Sequence, residues 1–218
     1  MFLTRFEINT ARRAARELLA SPQRMHAAVL AGFPSVGSAA ASEGRVLWRL
    51  DQHRHQALLY LVSPTQPDLT HLVESVGWPA TQTWATRHYA PFLEALGKGD
   101  QWAFRLTANP VSSRRKTPDA ARTQRFAHVT VAQQTEWLLT RAHRHGFAIV
   151  TGLHCEPDVA VHRRQTLRFP RQGKTVTLST AVFEGRLEVI DPELLRQSLV
   201  QGIGPGKGYG CGLLTLAR

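Results

Sequence analysis

Six glycines fall within the eleven residues GIGPGKGYGCG, Gly202 to Gly212, around one lysine and one tyrosine. Glycine accepts positive φ and lets a ligand come close to the backbone, so the run suits an anion cradle. Its candidate contacts are Gly204, Gly206, Lys207, Gly208, Tyr209 and Gly210. The run is not a Walker loop, because Lys207 is followed by Gly208 instead of Ser or Thr. It leads into a strand pattern, which excludes a dinucleotide fingerprint as well. The plain alternative is a flexible helix-to-strand connection. Two arginine clusters offer a second chemistry, forked contacts to phosphates and guanine edges. One is Arg114, Arg115 and Lys116 in SSRRK, read as a loop. The other is Arg163, Arg164, Arg168 and Arg171 around LRFPRQGK, with a hairpin tip expected at Gln172-Gly173. For any single arginine a solvated surface charge is an equal explanation.

Ten histidines could move protons near neutral pH. His26 lies in Met25-His26-Ala27-Ala28-Val29, an amphipathic setting typical of a helix-boundary histidine. His143 and His145 fall at a polar helix end, where the helix dipole accounts for them. His53 and His55 flank Arg54 with no carboxylate to complete a ligand set, so no metal or other cofactor is assigned. Cys155 and Cys211 are too far apart for a zinc knuckle or a disulfide framework, which fits a reducing cytoplasm.

The elements that must position these groups belong to a chain of 218 residues, 43% hydrophobic and 20% charged, enough to bury a core. Lys and Arg number 27 against 16 Asp and Glu, a formal charge of +11, which favours a polyanionic partner. Lysine occurs only at 98, 116, 174 and 207. No run of about 18 apolar residues is present, so no membrane partner is expected. The opening MFLTRFEINT alternates like a strand and carries Glu7, unlike a secretory signal.

FLTRFEI predicts a strand, followed by a helix capped by Thr10 and a second capped by Ser21 with Pro22 at its first position. Strands over 45–50 and 57–63, a helix over 67–76 and a strand over 83–88 complete β-α-β-β-α-β, the ferredoxin-like unit. After the turn GKGD the series recurs, with strand WAFRLTANP, a helix over 132–145 and short strands near 147–151 and 159–169. A strand TVTLSTAVFEGRLEVI, a helix from Pro192 and a final strand CGLLTLA complete it. The expected fold is α+β, two tandem ferredoxin-like domains over residues 1–96 and 97–218. Phe2, Phe6, Trp48, Phe104 and Phe183 sit in strand patterns and read as core.

Three segments, MFLTRFEINT with PQRMHAAVLAGFP, FRLTANP, and AVFEGRLEVIDPELLRQSLVQGIGPGKGYGCGLLTLA, occur in this order at this chain length. With them the chain resembles the CasE-type CRISPR-associated endoribonucleases, the repeat-processing subunit of type I-E Cascade. The resemblance implies a metal-independent endoribonuclease that binds the CRISPR repeat stem-loop and cuts at the base of the hairpin. The guide RNA is then retained, with the other Cascade subunits as partners.

The family's catalytic histidine, on the helix after the first strand, maps onto His26. Attack of a ribose 2′-OH on the adjacent phosphorus needs one proton removed and another delivered to the leaving 5′-oxygen, giving a 2′,3′-cyclic phosphate and a 5′-OH. A histidine can serve either step, and Arg24 is a candidate stabiliser of the phosphorane. Some relatives place a tyrosine three residues before the histidine, where this chain has Gln23. A basic hairpin of the second domain contacts the stem in relatives, and Arg168 and Arg171 match it best. The rival expectation is an RNA-binding scaffold subunit without catalysis.

Overall fold

The computed structural model describes residues 1–33, 45–54, 56–78, 83–115, 123–152, 155–171 and 173–218. Lys116, Gln172 and His55 therefore lie outside the described residues.

Strand β1 (Phe2–Ile8) buries Thr4, Phe6 and Ile8 on one face, the period-2 pattern of a half-buried strand. Two helices follow. α1 (Arg13–Leu19) begins later than a Thr10 cap would place it: its N-cap is Arg12, without a side-chain bond, while Asn9 Oδ1 accepts from Ala11 N–H. α2 (Pro22–Leu30) starts as the sequence predicts, with Ser21 Oγ accepting from Arg24 N–H and Pro22 in the first turn. Strands β2 (Leu47–His53) and β3 (Gln56–Ser63), helix α3 (Thr70–Val76) and strand β4 (Trp84–His88) complete the first unit. All its pairings are antiparallel in the order β2-β3-β1-β4. A short helix α4 (Ala90–Glu94), absent from the sequence prediction, leads to the second sheet.

β5 (Gln101–Ala108) is followed by β6 (Val111–Arg115) and β7 (Thr123–Ala127), which pair as a separate two-stranded ribbon. The SSRRK segment is thus not a loop as far as Arg115: Arg114 pairs with Gln124 and Arg115 with Thr123. α5 (Val131–Ala142) carries a capping box from Thr130 and Gln133. β8 (Phe147–Ile149), β9 (Val159–Arg171), β10 (Lys174–Val189), α6 (Pro192–Gln201) and β11 (Leu214–Ala217) follow. The order β11-β5-β10-β8 repeats that of the first sheet, so the two tandem ferredoxin-like units are present, with the β6–β7 ribbon and the long β9 as additions.

One core lies between the first sheet and its helices, around Phe6, Met25, Trp48, Leu59 and Leu72. The other fills the second unit, and Leu47 and Val62 from the far face of the first sheet join it. Alternation along β2 makes this division: Trp48 packs with its own helices, while Leu47 and Arg49 face the neighbouring unit. Arg49, 2% exposed, holds Asp51 with both nitrogens of its fork at 2.9 Å. It also donates to Arg105 O, Leu213 O and Thr215 Oγ1 of the second unit. Among the described residues no helix is long and apolar enough to cross a membrane.

Candidate active site

His26 is on α2, one position after the buried Met25, which turns it roughly 100° from the core-facing stripe towards the helix edge. Its ring is held from two sides. The indole N–H of Trp48 donates to Nδ1 at 3.4 Å. On the other side the loop after α6 passes so close that a methyl on Gly208 would lie 3.4 Å from Nε2. Because an indole can only donate, Nδ1 accepts, and the neutral ring carries its proton on Nε2.

The glycine run is a packed element and not a flexible connection. Gly204, Gly206, Gly210 and Gly212 take positive φ between +77° and +93°. At Gly210 a side chain would meet the Trp48 ring at 2.7 Å, so only glycine lets the loop press on the residue that holds His26. Gly204 stands over the Trp137 ring in the same way. Residues Lys207–Tyr209 form one 3-10 turn. Tyr209 packs edge-on against Phe169 of β9, with ring centroids 4.9 Å apart, and so docks the long β9–β10 hairpin onto the loop.

Between α2 and this loop runs an open groove lined by Gln23, His26, Ala27 and Leu30, by loop residues 204–209, and by Arg45 and Arg125. The structure therefore brings His26 together with Gly204, Gly206, Lys207, Gly208 and Tyr209, while Gly210 lies just behind against Trp48. Arg24 does not line the groove: its exposed guanidinium pairs with Glu17 of α1 at 3.5 Å. Lys207 is held below the usual lysine pKa, first by burial and then by the positive charge of Arg45. Arg45 and Arg125 were not singled out from the sequence, since neither belongs to a cluster or motif. The signal that could have found them is their approach to the glycine loop, which only the fold supplies.

The remaining basic residues singled out from the sequence lie along β9 and at the end of β6. Two residues, Arg163 and Arg164, stand on β9 where β10 has one between Thr180 and Val182, and Arg163 adopts φ +47°. A bulge of this kind re-aims side chains. Arg163 reaches the cleft between the two units, with Arg105, Gln165 and Tyr209, and also lines a hollow with Arg164, which donates to Val129 O just before α5. Arg168 is exposed on the face of β9 opposite Leu167 and Phe169. Arg171 is the last residue of β9, and Arg114 and Arg115 end β6. These residues are thus not gathered around His26. Burial pushes the Cys211 thiol up to about 12, which removes it as a nucleophile at neutral pH. Among the described residues no group of three metal-ligating side chains occurs.

Fold and site together define a double ferredoxin-like protein with one histidine set in an electropositive groove under a glycine-rich loop. The family profile described as CRISPR associated protein matches residues 1–218, and the chain belongs to that family. It is 34% identical over 226 residues to the CRISPR-associated endoribonuclease Cse3 of Thermus thermophilus, covering all of both chains. It is 29% identical over 180 residues to the CRISPR system Cascade subunit CasE of Escherichia coli, covering 78% of this chain and 88% of the relative. Among solved structures, Thermus thermophilus Cse3 bound to an RNA representing a pre-cleavage complex superposes with a TM-score of 0.78. That match has 33% identity and covers 100% of this chain and 98% of the other.

Proposed function

We propose that this protein is a cytoplasmic CRISPR-associated endoribonuclease that cuts the repeat stem-loop of precursor RNA and keeps the product within Cascade. Residues 1–96 supply the reacting histidine and residues 97–218 the grip on the RNA. The observation that carries the reading is His26, its Nε2 turned to Gly208 in a groove whose cations are Arg45, Arg125 and Lys207. Two kinds of similarity support it, to a named endoribonuclease over the full chain and to an RNA-bound structure.

In this reading the scissile phosphate lies against the loop amides and the groove cations, which offset the charge that builds up on phosphorus. The 2′-OH attacks in line and loses its proton, the bond to the 5′-oxygen breaks, and that oxygen gains a proton. His26 performs one of the two transfers. The steps need no metal, because the charges and the proton carrier come from side chains. Arg24 is not required, and its proposed role on the phosphorane passes to Lys207, Arg45 and Arg125. The hairpin arginines, Arg163, Arg164, Arg168 and Arg171, with Arg114, Arg115 and Lys116, grip the stem. An A-form stem hides its base edges, so shape and backbone are what they read.

Incubation with repeat hairpin RNA in EDTA tests this. The wild type cuts and leaves a 2′,3′-cyclic phosphate, and His26→Ala binds equally but cuts at least 10²-fold more slowly, the usual worth of a general acid or base. Cleavage that stops in EDTA, or survives His26→Ala, defeats the reading. Gln23 on the groove wall, where some relatives carry tyrosine, favours the second reading, a scaffold that holds RNA uncut. Tight binding by the wild type without cleavage establishes that one.

A further inference from the structure

A second basic group, unused by the site above, lies at the far end of α5. Arg141 lies in the last turn of the helix, and Arg144 and His145 belong to the 3-10 turn His143–His145 after it. The guanidinium of Arg141 stacks over the Trp137 ring, 4.7 Å from its centroid, and donates to Trp137 O at 3.1 Å. The same ring supports Gly204, so Arg141 and the glycine loop share one platform. His145 is pinned through Nδ1 to Ser198 Oγ at 2.8 Å. Burial first, then the charges of Arg144, Lys207 and Arg141, hold His145 below the usual histidine pKa, so its ring is neutral at pH 7 and lies within the field of those three cations. Lys207 also feels Arg45 and lines the His26 groove. Among the described residues none of Arg45, Arg141, Arg144 and Lys207 forms an ion pair with a carboxylate, although like charges gathered this way repel.

α5 also fixes the spacing. At its first turn Arg164 reaches Val129 O, so the β9 arginines sit there. Its last turn carries Arg141, ten residues beyond Val131 and about 15 Å along the axis. The His26 groove, resting on Trp137 through Gly204, adjoins the helix between these ends.

Resting on the proposed RNA-cutting function, we infer that Arg141 and Arg144, beside the neutral ring of His145 and joined to the groove by Lys207 and Arg45, form a shelf that binds the unpaired strand leaving the stem beyond the scissile phosphate. The ligand class is single-stranded polyribonucleotide held through its phosphates. A shelf whose charged groups are guanidinium and ammonium donors selects for backbone charge and not for sequence. Arg144 is exposed and the bulk of the shelf lies off the stem-gripping ribbons, so it adds affinity only when a flank is present.

The test measures binding of His26→Ala protein to three RNAs, the bare repeat hairpin and the hairpin extended by unpaired nucleotides at either end, across a salt series. An extended RNA binds more tightly than the bare one, and its log–log salt slope is steeper by about 0.7 for each added phosphate contact. In Arg144→Glu, and in Arg141→Gln with Arg144→Glu, the affinity ratio of extended to bare RNA falls toward one and the extra slope disappears. Equal losses on bare and extended RNA would mean that the shelf grips the stem, and overturn the inference. No change on any RNA, as for a shelf that meets an acidic protein surface, overturns it too. Failure of the parent protein to bind even the bare hairpin instead removes the RNA reading beneath it.

Discussion

Trp48 and His26 are joined by a hydrogen bond that runs from the indole N–H to Nδ1 at 3.4 Å. The donor serves the neutral ring, because protonation of Nδ1 would set two N–H groups against each other. Both proton-transfer roles open to Nε2 pass through a ring that carries hydrogen on Nδ1, as the imidazolium or as the other neutral tautomer. The bond therefore holds His26 in place and opposes its charged form at once.

Trp48→Phe keeps the ring that Gly210 packs on and removes only the donor. Losing the donor removes the bond that keeps the hydrogen on Nε2, whereas both roles of Nε2 pass through a ring with hydrogen on Nδ1. The single-turnover rate on hairpin RNA rises, while RNA affinity stays within about twofold. A lower rate means that holding the ring in place outweighs the tautomer, and an unchanged rate that the indole acts only as packing.

Lys207 sets binding against stability. Its folded pKa lies below the ordinary 10.5 through burial and Arg45. Below the folded value both states hold the proton, and the cost of placing that charge in the fold is present in full. As pH rises towards 10.5 the folded state sheds its proton first, and the cost is relieved. Lys207→Met keeps the aliphatic stem that lies 3.3 Å from a methyl built on Gly212. It melts higher than the wild type at pH 7, and the difference narrows on the alkaline side. It also binds RNA more weakly, with a salt slope lower by about one phosphate contact. A melting temperature at or below that of the wild type contradicts the argument.

Much of this arrangement is written locally. The alternation of FLTRFEI fixes which face of β1 is buried, Ser21-Pro22 marks the start of the helix that carries His26, and two β-α-β-β-α-β series give both sheet orders. Other parts depend on pairings between distant segments. Arg114 and Arg115 read as loop because their partner strand, Thr123–Ala127, has no apolar alternation of its own. The bulge that holds Arg163 and Arg164 exists only in the register of β9 against β10. Arg24 shares a helix with His26 but sits two residues away, roughly 200° around the axis, which sends it to Glu17. Trp48 reads as core and is core, yet its one polar atom is what reaches the histidine.

The last relationship concerns how the two units hold each other. Arg49 spans the seam with bonds to Arg105 O, Leu213 O and Thr215 Oγ1, while Asp51 neutralises it and also pairs with Arg105 at 3.2 Å. Removing one partner of a buried pair leaves the other charge poorly compensated, at a cost of about 3–5 kcal/mol. Arg105 stays beside Asp51, so Arg49→Met falls at the low end of that range, read as a lower urea midpoint. The seam also sets the glycine loop, which enters β11 next to Leu213, over α2. The same variant therefore loses cleavage rate at saturating RNA as well as stability. Arg49→Met combined with Asp51→Leu removes both charges and recovers part of the stability lost by the single change, since an apolar replacement of a whole pair is close to neutral. Strict additivity of the two changes would show that the ion pair contributes nothing across the seam, and that packing by Leu47 and Val62 alone holds the units together.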